Sequence, residues 1–156
     1  MPVFISHRTA DDDKAQIIAN HLFNQHRIKC YLDHFDPHAY TTRRITDLLM
    51  KKIHDCTHLM ALITDSTTGS WWVPFEIGVA RESDRRISSF DKSTIKLPEY
   101  LTEWPVLNSQ RDLDEFAELY HKDKTAKPII EKYSSYQRTI STADEFHSQL
   151  KAKLRM

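Results

Sequence analysis

LMALITDSTTGSWWVPFEIGVARE, residues 59–82, is the stretch that decides the fold. Its first six residues, LMALIT (59–64), are a short apolar run bounded by polar residues, the pattern of a strand buried on both faces. After a polar turn, SWWVPFEIGVARE (70–82) reads as a helix. Ser70 is suited to cap it, because its hydroxyl accepts from exposed first-turn amides, and Pro74 falls early enough to be tolerated. Two of the three tryptophans, Trp71 and Trp72, sit side by side just ahead of a lone acid, Glu76. Neighbours on a helix point in different directions, so Trp71 is expected in the core. Trp72 and Glu76 are four apart and share a face, where the indole is expected to wall the acid.

Outward from this stretch, VFIS (3–6) and KCYL (29–32) are two more buried-strand candidates. Between them lies a helix opened by Asp11, Asp12 and Asp13, acids that suit the positive end of a helix dipole. Its apolar stripe is Ala15, Ile18, Ala19 and Leu22. Ile45, Leu48, Leu49 and Ile53 form a second stripe before residue 59. RISSF (86–90) is a poor strand candidate; WPVL (104–107) is a better one, with Pro105 suiting an edge. DLDEFAELY (112–120) predicts a helix with a capping box from Asp112 to Glu115 and an apolar face of Leu113, Phe116, Ala117 and Tyr120. Alternating strands and helices imply a parallel sheet with helices on both faces.

Beyond His121 the chain turns polar, with two apolar islands, before TADEFHSQLKAKL (142–154). There Thr142 and Glu145 can form a capping box, and Ala143, Phe146, Leu150 and Leu154 line one side. This stripe fits a terminal helix docked on its own domain or a surface for partners. The expected division is a domain over 1–121 and an extension with a short amphipathic helix over 122–156.

The composition excludes several classes. The 156 residues suit one domain of ordinary size. With 22 Lys+Arg against 22 Asp+Glu, no strong basic field draws the chain to nucleic acid or anionic lipid. No apolar stretch approaches the roughly 20 residues of a membrane span, and the N-terminus is not that of a signal peptide. The two cysteines, Cys30 and Cys56, read as buried free thiols in a reducing compartment. A cytoplasmic location is therefore expected.

With only Gly69 and Gly78 in the chain, there is no dinucleotide fingerprint and no P-loop, both of which bring backbone close to phosphate. A G-x-S-x-G elbow is also missing. His54 and His58, like His34 and His38, are four apart, but no third and fourth ligand is evident. They read as solvated loop histidines, and no metal site is assigned.

VFISHR (3–8), CYLDHFDPH (30–38), ITDLLMKKIHDCTHLMALIT (45–64) and SWWVPFEIGVARE (70–82), in this order and spacing, closely resemble a TIR (Toll/interleukin-1 receptor) domain over about residues 2–121. FISHR looks like the first TIR box. Ser70, Trp72 and Glu76 look like the S-x-W-x-x-x-E motif that carries the catalytic glutamate of NAD-consuming TIR domains. On spacing alone Glu76 reads as an ordinary helix acid; the resemblance is what gives it a catalytic role. It also implies a flavodoxin-like fold, a five-stranded parallel sheet flanked by helices on both faces, with the site beyond the carboxyl ends of the strands.

The implied reaction breaks the nicotinamide–ribose bond of NAD+, which is substrate and not cofactor. Glu76 would stabilise the oxocarbenium character of the ribose. Trp72 would wall the pocket, Arg8 would meet the pyrophosphate, and Phe4 and Ser6 would shape the floor. The same motifs add His7, Asp33 and Ser70 to the substrate-binding set. The loop at 36–44, with Asp36, Pro37, His38, Arg43 and Arg44, would control assembly into a homo-oligomer, although it lacks the glycine TIR domains often have there. The chain further resembles standalone TIR proteins of bacterial anti-phage systems such as Thoeris, NAD+ nucleosidases or ADP-ribosyl cyclases that pass a cyclic or modified ADP-ribose to a separately encoded effector. Two alternatives stay open: a non-catalytic TIR assembly or adaptor module, and an enzyme like the nucleoside deoxyribosyltransferases.

Overall fold

A computed structural model describes residues 2–32, 42–125 and 142–156. Five strands form one parallel sheet: β1 (Val3–Ser6), β2 (Cys30–Leu32), β3 (His58–Ile63), β4 (Arg86–Asp91) and β5 (Val106–Leu107), in the order β2-β1-β3-β4-β5. Every pairing is parallel, with Val3 opposite both Cys30 and His58, and His58 opposite Arg86. The helices are α1 (Asp12–His26), α2 (Thr42–His54), α3 (Trp72–Glu82), α4 (Gln110–Thr125) and α5 (Thr142–Leu154). This strand order is the flavodoxin-like one.

Strand alternation divides the core into two layers. Val3 and Ile5 of β1, with Met60 and Leu62 of β3, face a layer filled by α1, α4 and α5. Phe4, Leu59, Ala61 and Ile63 face the other, with Ile45, Leu49 and Ile53 of α2 and Val73, Ile77 and Ala80 of α3. Both expected stripes point inward: Ala15, Ile18, Ala19 and Leu22 are buried, as are Ile45, Leu49 and Ile53, while Leu48 is half-buried.

The structure corrects the sequence at several points. RISSF, weak as a pattern, lies in β4, an interior strand paired on both sides. Its apolar signal is diluted by Ser88 and Ser89, which are fully buried. The helix expected from Asp112 starts earlier, at Gln110, because the capping box is Ser109 with Asp112 and not Asp112 with Glu115. The Ser109 hydroxyl accepts from the Asp112 amide at 3.2 Å, and the Asp112 carboxylate accepts from the Ser109 and Asn108 amides at 3.2 and 3.0 Å. His58, expected in a solvated loop, is buried as the first residue of β3. There it stands between Phe116, Tyr120 and Phe146 and lies 3.4 Å from the Asp123 carboxylate.

The stripe of α5 docks on the chain's own sheet. Ala143, Phe146 and Leu150 are buried, and Leu154 packs against the same layer. Polar contacts fix the docking. The buried imidazole of His147 accepts the Ile87 amide of β4 at 2.7 Å, and Lys153 bridges Glu115 and Glu118 of α4 at 2.9 and 3.0 Å. Arg86 donates to the Thr142 hydroxyl that opens α5.

Candidate functional site

In an open parallel sheet the ligand crevice lies beyond the carboxyl ends of the strands, where the strand order reverses. Here that point falls between β1 and β3. The chain leaving β1 carries Ser6, His7 and Arg8. The chain leaving β3 forms a 3-10 turn, Asp65–Gly69, that leads into α3.

The two segments are tied together. Asp11 is buried, and its Oδ2 accepts from the hydroxyls of Thr64 at 2.7 Å and Ser66 at 2.8 Å. Burial works against its charge, but the bonds from Thr64, Ser66 and Lys14 outweigh it and hold the carboxyl below its ordinary value. Arg8 donates to the Ser66 carbonyl at 2.5 Å, and its guanidinium lies over Gly69, where a β-carbon would stand 3.1 Å from Nη1. The turn is itself braced by a capping box between Thr64 and Thr67. The Asp65 carboxylate then accepts from the amide and hydroxyl of Thr94, linking this turn to the one after β4.

α3 starts from this braced turn. Ser70 Oγ accepts the first-turn amide of Val73 at 3.2 Å, as expected of its hydroxyl, although Trp71 and not Ser70 holds the N-cap position. Val73, Ile77 and Ala80 pack into the core, and Glu76 turns inward with them at 4% exposure. Trp71 is not in the core: it is 89% exposed. It precedes Val73 by two residues, roughly 200° around the helix, so the phase that buries Val73 swings Trp71 into solvent. Trp72 is 38% exposed and meets Phe75 edge-on, with ring centroids 5.9 Å apart. A buried carboxylate and a half-exposed indole therefore share the first turns of α3.

Phe4 and Ser6 are fully buried on β1 and, by strand parity, face the α2/α3 layer that also holds Glu76. His7 is turned elsewhere: one ring nitrogen lies 2.6 Å from the Asp12 carboxylate and the other 3.0 Å from the Ile5 carbonyl. Arg43 and Arg44 are exposed on the first turn of α2. Asp33, Asp36, Pro37 and His38 lie outside the described residues. Cys30 and Cys56 are free, and burial pushes both thiols up to about 12, so neither supplies a thiolate nucleophile at neutral pH. On the opposite face of the sheet, a cleft of about 430 Å³ between α1 and α4 is lined by Ile17, Ile18, Leu62, Phe90 and Leu113. Its lining contains no carboxylate, so it offers nothing to stabilise a sugar cation.

The family model described as "TIR domain" matches residues 3–125, more than three quarters of the chain. The chain belongs to the TIR domain family. A comparison with curated proteins finds no match. The TIR match ends with α4, so α5 lies beyond it in sequence while packing into the same core layer. Within the TIR domain, the residue that sequence reasoning missed is Asp11. It reads as one of three helix-opening acids, and only the fold shows it buried against Thr64 and Ser66, 53 and 55 positions away.

Proposed function

We propose that this TIR domain cleaves the bond between nicotinamide and ribose in NAD+, with Glu76 as the catalytic carboxylate. The observation that carries this reading is the burial of Glu76 among apolar residues in the first turns of α3, the helix that follows the carboxyl end of β3. Acids are rarely buried in a helix face that packs on a sheet, and a carboxylate held there is a functional candidate on physical grounds. The fold also supports it, since the family includes NAD-cleaving enzymes.

Nicotinamide leaves NAD+ with the electron pair of the glycosidic bond and departs neutral, while positive charge develops on the ribose C1 and ring oxygen. Glu76 orients the ribose hydroxyls and offsets that charge in a water-poor site. Trp72 forms a wall of the pocket, and Phe4 and Ser6 its floor. Arg8, held beside the Asp65–Gly69 turn, meets the pyrophosphate. Water then adds to C1 and releases a proton, giving linear ADP-ribose. If an adenine nitrogen of the same molecule or a bound acceptor adds instead, the product is a cyclic or conjugated ADP-ribose, which in a bacterial anti-phage setting acts on a separate effector.

The exposed aromatic side chains of Trp71, Trp72 and Phe75 favour a second reading, in which the domain works through assembly and Glu76 only supports the fold. Incubation with NAD+, and separately with deoxynucleosides, followed by chromatography and mass spectrometry, distinguishes these activities. Glu76→Gln should keep the fold and lower nicotinamide release about a hundred- to a thousandfold. Wild-type turnover by a folded Glu76→Gln protein would sink the assignment.

A further inference from the structure

Between α1 and α4, three metal-ligating side chains converge. Asp114, in the first turns of α4, places Oδ1 2.8 Å from His21 Nε2 and 2.6 Å from His26 Nε2, both near the end of α1. The ligand atoms of all three lie within 4.8 Å of one another. The two rings meet edge-on at 5.6 Å, half-buried, with the carboxylate exposed. The histidines are five apart, and the acid lies 93 and 88 positions away, so neither the i,i+4 spacing nor sequence proximity reveals the set.

The surroundings hold these groups in place. His21 Nδ1 meets the side-chain amide of Gln110 at 2.8 Å, which directs Nε2 toward Asp114. An amide turned to present its oxygen would take the Nδ1 proton when Nε2 binds a cation, the outer-shell support that metal-bound histidines use. His26 is anchored through its backbone, whose carbonyl accepts from His121 Nε2 at 2.8 Å, and α1 is closed just beyond it by Arg27 in the left-handed conformation. None of these residues has a part in the NAD+ chemistry proposed above.

We propose that His21, His26 and Asp114 form a zinc site that clasps α1 to α4, with water completing a tetrahedral set. Two imidazole nitrogens and one carboxylate oxygen suit zinc, whereas calcium and magnesium call for oxygen donors. At zinc–ligand distances near 2.0 Å, tetrahedral ligand atoms stand about 3.3 Å apart. The two Asp114 contacts need only open by about half an ångström, and the two ring nitrogens, already within 4.8 Å of each other, settle at that spacing as the side chains rotate.

The test is isothermal titration of the metal-stripped full chain with zinc chloride, with calcium and magnesium as comparisons, followed by thermal unfolding with and without zinc. One zinc ion should bind per chain and raise the melting temperature; calcium and magnesium should do neither. Asp114→Asn and His26→Gln should each weaken zinc binding about tenfold or more, whereas His54→Gln should leave it unchanged. If the substituted proteins fold poorly, ring-nitrogen NMR of the wild type decides: zinc should shift Nε2 of His21 and His26 ahead of the other histidines. Absence of stoichiometric binding, binding untouched by Asp114→Asn and His26→Gln, or shifts confined to other histidines would overturn the proposal.

Discussion

His147 should make the stability of this protein acid-sensitive in a range where most carboxylates remain ionised. Its Nε2 accepts the Ile87 amide at 2.7 Å in a buried position, so the ring must stay unprotonated at that nitrogen to hold α5 on β4. Burial, opposed by Asp144 and reinforced by Arg81 and Arg86, lowers its pKa from 6.5 to about 4. A depressed folded-state pKa contributes stability in full above the unfolded value and loses it as pH falls through the folded one. The window is therefore from about pH 6.5 down to about pH 4. At about 1.4 kcal/mol per unit, the whole contribution is about 3 kcal/mol, of which about 2 kcal/mol is gone by pH 5.

His58 is lowered in the same direction by its own burial, and the carboxylates of Asp11 and Asp123 lose their contribution at lower pH, so the wild-type curve alone mixes several groups. His147→Gln separates them, because an amide oxygen can accept from Ile87 without titrating. Denaturant unfolding of both proteins between about pH 7.5 and pH 5 gives a difference curve. The wild type should lose about 2 kcal/mol more than the variant over that range. If the two curves run parallel, the imidazole does not titrate between the folded and unfolded states as this geometry requires.

Gly78 lies on the exposed side of α3 with open space where a β-carbon would sit, so Gly78→Ala should raise stability by up to about 1 kcal/mol, read as a higher melting temperature. A lower one would show that the glycine is needed for a reason outside helix propensity. Asp11→Ala leaves the Thr64 and Ser66 hydroxyls without their buried acceptor and should cost about 2–4 kcal/mol in chemical denaturation; an effect under about 0.5 kcal/mol would mean the turn is braced without it. Reversing charge at Arg43 and Arg44 should weaken self-association and NAD+ turnover together. Light scattering beside an activity titration checks this, and full-speed turnover by a dilute monomer would contradict it.

Much of this molecule was legible along the chain. LMALIT and VFIS are strands buried on both faces, so they read as unbroken apolar runs, and the stripes of α1 and α2 repeat at the helical period. The Ser70 hydroxyl on a first-turn amide of α3 follows from local hydrogen bonding, which needs only residues three apart. β4 was less legible, because burial of Ser88 and Ser89 is a property of the sheet around them and leaves no apolar mark in the sequence.

Only the tertiary structure decided what depends on contacts between distant segments. Trp71 and Trp72 look alike in the sequence, and the packing of Val73, Ile77 and Ala80 against the sheet is what sends Trp71 into solvent and draws Glu76 inward. Asp11 is one of three consecutive acids until the turn after β3 comes to meet it. His147 is one of nine histidines, and its depressed pKa arises only when α5 lies against β4. A sequence records the period of an element, but burial and charge state belong to the surroundings, and those are supplied by residues far along the chain.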